Sequence, residues 1–381
     1  MTQSPTRPLR AEQTVFNMPT DASQSRIGKL DSVRGIAALM VVVGHCGGWP
    51  MLPDTHGPFF WWLSVFSEGE AAVLMFFLLS GFVLALQLNS SKSPTYLGFV
   101  IRRFFRIWPT FAVTVILAYL LLHWFGVPVP AETGSTNAPA LPTPSALAQN
   151  LLMVGSPHTI DPPVWSLYVE ARVSLIFPLL CLLAYRLNFY WATILSLVAS
   201  VLVSRLIHWD IPEVLLSLAA ASRFIVLFVI GAALTRAHNP VAVLYGRLPL
   251  PIKTFGLVVA LICLEYRFIP TELPLPLLAY VRWLGVSLLF VYCLYSETAE
   301  TLLNRRPLLF LGRISYSLYL VAFPIMLVVE ANVPRPWSTF LVLLLSIVAA
   351  WFINSWVERP MIALGRILSP PADTQVAVAR F

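Results

Sequence analysis

Ten apolar stretches, each about as long as a helix that crosses a lipid bilayer, follow one another along this chain of 381 residues. A bilayer core about 30 Å thick needs about 20 apolar residues per helix. The stretches lie near residues 31–50, 68–87, 108–125, 163–184, 189–206, 214–234, 252–268, 277–296, 308–329 and 338–357. The sequence therefore predicts an all-α, polytopic membrane protein with about ten transmembrane helices.

The composition excludes most other classes of protein. Hydrophobic residues make up 58% of the chain and charged residues only 11%, whereas about 25% of the residues in a typical soluble domain are charged. A soluble enzyme could not cover its surface with so few charges, and a disordered chain would be far less apolar. The net charge of +7 does not indicate a nucleic-acid partner, because the basic residues lie in short loops. The four cysteines lie in apolar runs without C-x-x-C spacing, so we expect neither disulfides nor a metal site.

The basic residues also predict an orientation, because cytoplasmic loops are enriched in Lys and Arg. With the N-terminus in the cytoplasm, 19 of the 25 Lys and Arg residues fall on the cytoplasmic side. The other six are Arg205, Arg267 and Arg335 in outer loops and Arg172, Arg223 and Arg282 within helices. We therefore expect an even number of spans and both termini in the cytoplasm, in what we take to be a bacterial inner membrane.

Three polar segments lie outside the spans. Residues 1–29 lack the apolar core of a cleavable signal peptide, and we expect them to form a disordered cytoplasmic tail. Residues 361–381 are expected to form a second cytoplasmic tail. The outer loop 126–162 is rich in Pro, Ser, Thr and Gly. This composition is typical of a flexible linker, and a lid over an outward-facing site is the alternative.

Arg34 and His45 are the first ionisable residues that deserve a functional hypothesis, since charge inside a membrane is costly. They are eleven residues apart, which on a helix is three turns plus about 20°, so both side chains face the same way about 16 Å apart. This spacing suits a long ligand with an anionic head near Arg34 and a reactive group near His45. The alternative is an anchoring arginine and a hydrogen-bonded core histidine.

Glu170 lies in the run PPVWSLYVEARVSLIFPLL, about 10 Å below the predicted outer boundary. His45 comes to a similar depth, so the Glu170 carboxylate is expected to orient the imidazole and to favour its charged form. The alternative is an ion pair with Arg223 or Arg282, which fall at comparable depths.

Two further segments carry weaker signals. Arg102, Arg103 and Arg106 precede a helix start at Trp108-Pro109, and arginine forks suit phosphate groups. Simple anchoring at the cytoplasmic face is the alternative. In FFLLSGF, Ser80-Gly81 permits close approach of a neighbouring helix or a ligand, and helix packing is the commoner explanation. Motifs of serine hydrolases, zinc proteases, nucleotide triphosphatases and dinucleotide-binding enzymes are absent from the sequence.

Taken in order, these segments resemble the acyltransferase family 3 of integral membrane proteins, which move acyl groups onto sugars and other hydroxyl-bearing acceptors. The run LDSVRGIAALMVVVGH (30–45) is similar to the family's opening motif, an Arg and a His separated by ten residues. It is followed in the family's order by FFLLSGFVLA (76–85), FVIRRFFRIWP (99–109), VWSLYVEARVSLIFPLL (164–180), FLGRISYSLYLVAFPI (310–325) and WVERP (356–360). The resemblance covers about residues 30–360, which would form one membrane acyltransferase domain.

The resemblance implies an acyl-CoA donor bound from the cytoplasm, no tightly bound cofactor, and product delivery on the outer side. By matching position, His45 is the expected essential base, and Arg34, Arg102, Arg103 and Arg106 are the expected donor-binding residues. Two positions depart from the family pattern. A second acidic residue commonly follows the glutamate, where this chain has Ala171 and Arg172, and a histidine is often found where it has Ala322.

These signals lead to a hypothesis of membrane O-acyl transfer, with His45 as general base and Glu170 as its partner. Ser80, Trp165 and Tyr316 are expected to line the site. The expected donor is acetyl-CoA, and the expected acceptor is a cell-surface polysaccharide or a lipid-linked glycan of the cell envelope; membrane lipids are the other partners. A secondary transporter or flippase for an anionic amphiphile is the alternative, although no internal repeat or pair of Gly/Pro-broken helices is visible in the sequence.

Overall fold

The computed structural model describes residues 20–47, 65–90, 94–130, 138–154, 159–206, 221–265, 275–335 and 337–370. These residues form fourteen α-helices: α1 (Thr20–His45), α2 (Gly69–Leu88), α3 (Tyr96–Phe125), α4 (Pro144–Leu151), α5 (Trp165–Arg186), α6 (Phe189–Leu206), α7 (Ile225–Arg236), α8 (His238–Arg247), α9 (Leu250–Leu264), α10 (Leu275–Tyr295), α11 (Glu297–Leu303), α12 (Arg306–Asn332), α13 (Trp337–Ile353) and α14 (Arg359–Leu368). Short 3₁₀ turns at Val65–Ser67 and Pro162–Val164 precede α2 and α5, and a π-helical turn at Asn354–Glu358 joins α13 to α14. The predicted all-helical class is confirmed, since no strand occurs in the described residues beyond one bridge between Val129 and Ala140.

Within the described residues, six helical segments are long and apolar enough to cross a membrane: Gly69–Leu88, Tyr96–Phe125, Pro162–Arg186, Leu278–Tyr295, Arg306–Asn332 and Trp337–Leu368. A seventh is possible if α7 and α8, which meet at an angle of 80°, count as one span. The apolar parts of α6 and α9 are shorter, and α1 carries three charged residues, Lys29, Asp31 and Arg34, near its middle. A helix lies in each of the ten predicted stretches, but the count of ten spans is not confirmed.

The helices α1 and α12 pack against each other and run parallel, since Gly35 meets Gly312 and His45, further along α1, meets Phe323, further along α12. They touch through two glycines. A Cβ atom on Gly35 would lie 2.5 Å from the Gly312 nitrogen, and one on Gly312 would collide with the backbone of Asp31. Small residues let the backbones of membrane helices approach closely, so this crossing fixes the height of α1 against α12.

A second glycine crossing joins α2 to α7. A Cβ on Gly81 would collide with the backbone of Phe228, and one on Gly231 would collide with Leu78. The predicted explanation for Gly81, close packing of a neighbouring helix, is therefore confirmed. Around these crossings a core of apolar side chains is buried, with Phe77, Phe82, Phe228 and Phe290 almost completely enclosed.

The loop 126–162 is not a flexible linker over its described parts. Thr143 caps α4 by accepting a hydrogen bond from the nitrogen of Ala146 at 3.1 Å. The fully buried Asn150 donates to the Thr159 hydroxyl at 2.7 Å and accepts from the Tyr168 hydroxyl at 3.2 Å. Side-chain hydrogen bonds thus tie the loop to α5, which its Pro- and Ser-rich composition did not reveal.

The predicted tails also differ from the structure where it describes them. Residues 20–29 extend α1, and Lys29 is buried and paired with Glu300 at 3.1 Å. Residues 361–368 belong to α14, where Gly365 packs against Phe105 of α3. The reason is that a helix can extend past the bilayer core when its polar end finds partners on neighbouring helices. Residues 1–19 and 371–381 lie outside the described residues.

Candidate active site

A partly open cavity of about 70 Å³, lined by charged, polar and apolar side chains, lies between five helices of the bundle. A water molecule needs only about 10–15 Å³ by the same measure, so the cavity has room for several waters or a small chemical group. Its lining residues are Arg34 of α1, Phe76, Phe77 and Ser80 of α2, Arg103, Arg106 and Ile107 of α3, Ser166, Leu167 and Glu170 of α5, and Ser315, Tyr316 and Tyr319 of α12. Five of the predicted site residues, Arg34, Ser80, Arg103, Arg106 and Tyr316, meet Glu170 here.

Arg103 and Glu170 form a buried ion pair that joins α3 to α5. The Arg103 Nη2 atom lies 2.6 Å from Oε1 of Glu170, and the two side chains are 14% and 19% exposed. Ser80 donates to the same carboxylate oxygen at 3.1 Å, and Ser174 accepts from Arg103 at 3.0 Å. Each charge is therefore paired and hydrogen-bonded, as a group removed from water requires.

Arg106 forms the second ion pair, with Glu358 of the π-helical turn. Its Nη1 atom lies 2.5 Å from Oε1 of Glu358, whose side chain is only 2% exposed. The other carboxylate oxygen accepts from Ser317 at 2.7 Å and from Asn354 at 2.9 Å. The Arg106 guanidinium also lies over the ring of Tyr316, 5.4 Å from its centroid.

Glu358 is a residue that the sequence reasoning missed. It stands in the terminal motif WVERP, directly after the last predicted span, 338–357, and no role was assigned to it. The detectable signal was a carboxylate at the edge of an apolar run. Its partner Arg106 lies 252 residues earlier in the chain, so no local pattern could supply the pairing.

Arg34 is the third guanidinium of the cavity. It pairs with Asp31, one helical turn away, at 3.2 Å, and it interacts electrostatically with Arg103, Arg106 and Glu170. The Asp31 side chain is 35% exposed, so this pair is weaker than the two enclosed ones. The cavity therefore holds three arginines, of which Arg34 has the least tightly held partner.

Three residues that we expected in the site, Arg102, Trp165 and His45, lie outside this cavity. Arg102 points to the other side of α3, where its Nε atom donates to Ser369 at 3.0 Å. Trp165 packs on Phe77 and Phe224 in the apolar core. Neighbouring residues on a helix face directions about 100° apart, which explains why Arg103 and Ser166 enter the cavity while Arg102 and Trp165 do not.

His45 is the last residue of α1 and lies away from the cavity. More than a third of its surface is exposed, and its ring meets Phe323 edge-on with centroids 5.2 Å apart. The residue before it, Gly44, packs against the backbone of Ser67, just before α2 begins. The imidazole therefore stands at the level where α2 starts, and the segment 48–64 that follows lies outside the described residues.

The expected contact between Glu170 and His45 is wrong. Glu170 bonds Ser80, which is eleven residues along α2 from Gly69 and hence about 16 Å deeper than the imidazole. The depth estimate assumed that α5 begins at the outer boundary. Instead the 3₁₀ turn that precedes α5 already lies inside the bundle, where the Tyr319 hydroxyl donates to the carbonyl oxygen of Pro163. The alternative pairing of Glu170 is wrong too, since Arg282 pairs with Glu68 and Glu70 of α2 and the described partner of Glu170 is Arg103.

One face of α12 connects the cavity with His45. Tyr316 and Tyr319 line the cavity, and Phe323, one turn further along the same face, contacts the imidazole. From Ser315 to Phe323 this face rises about 12 Å. Tyr319 and Ser166 share a hydrogen bond of 2.7 Å on the way. Sequence reasoning missed both, although they stand in quoted motifs.

Asp161, just before the span of α5, is an enclosed acid near this face. It is 1% exposed, and its Oδ1 atom has no hydrogen-bond partner. Burial disfavours the charged form and raises the pKa of Asp161 well above its ordinary value. Among the described residues, no group of three His, Cys, Asp or Glu side chains is placed to hold a metal ion.

Comparison with known proteins places this geometry in context. The family model described as "Acyltransferase domain" matches residues 27–356. The chain is also 34% identical over 165 residues to Acyltransferase MdmB of Streptomyces mycarofaciens, a match that covers 40% of this chain and 39% of that relative. The similarity thus spans about two fifths of the relative's length. No solved structure matches the chain.

Proposed function

The chain belongs to acyltransferase family 3, and we propose that it is a membrane O-acyltransferase that moves an acyl group from cytoplasmic acyl-CoA to a hydroxyl of a cell-surface carbohydrate or lipid-linked glycan. The acyl group we propose is acetyl. We place the enzyme in a bacterial inner membrane with both termini in the cytoplasm.

The observation that carries the proposal is the position of Arg34 and His45 on one helix. Arg34 lines the cavity with two more arginines, and His45 stands about 16 Å further along α1, with more than a third of the residue's surface exposed. Guanidinium forks bind phosphate oxygens well, so the arginine cavity suits the phosphate-bearing end of acyl-CoA. The pantetheine arm would then follow α12 past Tyr319 and Phe323 and bring the thioester to the imidazole.

In this mechanism His45 is the general base. Its imidazole removes the proton of the acceptor hydroxyl while the oxygen attacks the thioester carbonyl carbon. The bond between that carbon and sulfur breaks, and the leaving CoA thiolate takes up the proton from the imidazolium. The products are an acyl ester and CoA, and no charge is left on the enzyme.

Glu170 has a different role from the one we expected. Because it pairs with Arg103 and Ser80, we assign it to the cavity, where it holds Arg103 in place. It then acts on donor binding rather than on the imidazole. In this proposal His45 acts as general base without a hydrogen bond to a carboxylate of α5.

The test is acyl transfer by the purified protein in nanodiscs. Radiolabelled acetyl-CoA is added with and without a crude surface-glycan acceptor, and label in the acceptor is counted. The proposal predicts acceptor-dependent labelling and release of free CoA. If several acyl-CoA donors neither bind nor react, the proposal is wrong.

A transporter or flippase for an anionic amphiphile is the other possible outcome of that experiment. The sharp bend between α7 and α8 is the kind of break that transporters use. In this molecule, however, it lies at the end of α7 where Arg236 bonds the Tyr185 carbonyl, far along the bundle from the arginine cavity. Net movement of the amphiphile without acyl transfer would favour the transporter.

A further inference from the structure

The π-helical turn at the end of α13 touches the arginine cavity through a single charged contact. Glu358 does not line the cavity, yet its carboxylate lies 2.5 Å from Arg106, which does. A π-helical turn in an α-helix is rare and is frequently found at a functional site. This one turns Glu358 inward, toward α3 and α12.

The surroundings of Glu358 hold the carboxylate in place independently of Arg106. Ser317 of α12 and Asn354 of the same turn both donate to Oε2. Asn354 is itself fixed, since its amide also donates to the Arg313 carbonyl at 2.9 Å. The carboxylate is thus a rigid support with one oxygen left for Arg106.

Arg106 needs such a support because other cations crowd it. Arg34, Arg103 and Arg106 line one small cavity, and Arg34 interacts electrostatically with both of the others. Glu170 is paired with Arg103, so the carboxylate in direct contact with Arg106 is that of Glu358. Without it, like-charge repulsion would drive the flexible Arg106 side chain out of the cavity.

We propose that Glu358 is a positioning residue for the donor: it fixes the Arg106 guanidinium over Tyr316 so that the guanidinium can bind the phosphates of acyl-CoA. This assignment rests on the proposed function. It predicts that the effect of Glu358 on donor binding passes entirely through Arg106.

A double-mutant cycle tests this, with CoA itself as the probe and full-length protein in nanodiscs. We expect Glu358→Ala and Arg106→Ala each to weaken CoA binding about tenfold. Because the two residues act as one unit, the double variant should bind CoA no more weakly than Arg106→Ala alone. Glu358→Gln, which keeps an oxygen for Arg106 but not the charge, should fall between wild type and Glu358→Ala.

The matched control is Arg102→Ala, a neighbouring arginine on α3 that bonds Ser369 outside the cavity. It should leave CoA binding within about twofold of wild type. The KM for acetyl-CoA should rise in Glu358→Ala while kcat changes little, since a lost binding contact raises KM alone.

Three results would separate the possible failures. If Glu358→Ala weakens CoA binding equally with and without Arg106, the residue supports the fold generally and the assignment is wrong. If Glu358→Ala binds CoA like wild type, it is also wrong, while the proposed function stands. If wild type binds no CoA at all, the proposed function itself fails.

Discussion

At the scale of single residues, the most enclosed charges of the arginine cavity are arranged as ion pairs. Arg103 pairs with Glu170 and Arg106 pairs with Glu358, and in each pair the guanidinium nitrogen lies 2.5 to 2.6 Å from the carboxylate oxygen. Each pair thus replaces contacts with water by a contact between opposite charges. Removing one member of such a pair leaves the other buried and uncompensated, which commonly costs about 3–5 kcal/mol.

We therefore expect Glu170→Ala to lower the thermal stability of the protein strongly. Arg103 would keep its bonds to Ser174 but lose its counter-charge. Fluorescence-detected gel filtration after heating would measure the loss. The matched control is Glu330→Ala, which breaks the Glu330–Arg335 pair, where Arg335 is 58% exposed; an exposed pair contributes about 0–1 kcal/mol. Equal stability of the two variants would contradict the account.

Asp161 gives a pH-dependent prediction. The unfolded chain releases this proton near pH 3.9, whereas burial raises the pKa of the folded carboxyl. The folded state therefore binds more protons above about pH 4, and stability falls as the pH rises through the interval between the two pKa values. Asp161→Asn, which resembles the neutral carboxyl, should melt higher than wild type at pH 7.

The gain in melting temperature should shrink toward zero as the pH is lowered below about 4, where the wild-type carboxyl becomes protonated in the unfolded state as well as in the folded state. Melting in detergent at several pH values would measure it. A variant that melts lower than wild type at neutral pH would show that the ionised carboxylate is stabilised by a contact that burial alone does not reveal.

The sequence identified most members of the arginine cavity but not their pairings. Arg34, Ser80, Arg103, Arg106, Glu170 and Tyr316 were all candidates. The partner of Glu170 was misjudged because its depth was counted along its own helix from an assumed membrane boundary. Pairings such as Arg106 with Glu358 depend on the relative heights of distant helices, which periodicity within one helix does not encode.

At the scale of helices, glycine crossings set those heights. Gly81 and Gly231 let α2 and α7 touch backbone to backbone, and Ser80, beside Gly81, is thereby held at the level of Glu170. Sequence reasoning recognised Ser80-Gly81 as a close-packing signal, because small residues have this use in membranes generally. It could not say which helix would approach.

The crossing can be tested with a single methyl group. Gly81→Ala should destabilise the protein by about 1–3 kcal/mol, the usual cost of overpacking, because the new Cβ would collide with the Phe228 backbone. Gly256→Ala in α9 is the control, since no atom lies within 4 Å of its Cβ position. There the substitution should be neutral or stabilising, as alanine favours helix. Melting temperatures in the same detergent would measure both, and a tolerated Gly81→Ala would contradict the packing.

At the scale of the whole molecule, periodicity and composition predicted the helical membrane class but not the number of spans. The helix α1 has charged residues in its first half, and α7 and α8 divide one apolar region at a sharp bend. A mean hydropathy taken over a window of about 20 residues does not reveal a few charged residues or a bend within that window. The structure of the loop 126–162 was also missed, because the hydrogen bonds of Asn150 reach residues in other elements.

The predicted orientation can be tested with introduced cysteines. Ala138→Cys, in the loop between α3 and α4, should react with a membrane-impermeant maleimide on intact cells. Gly246→Cys, at the end of α8, should react only after permeabilisation. Both positions are exposed, and the four native cysteines are buried or partly buried. The reverse labelling pattern would show that the topology is inverted. The arginine cavity would then face the wrong side of the membrane for a cytoplasmic donor.

In the proposed mechanism, Arg34 binds the donor and His45, further along the same helix, carries out acyl transfer. The most direct test measures both events in the same nanodisc preparation: the Kd for CoA, and transfer of label from acetyl-CoA to a glycan acceptor. We predict that His45→Ala binds CoA like wild type and transfers no label, while Arg34→Ala binds CoA at least tenfold more weakly. Substantial transfer by His45→Ala would contradict the account.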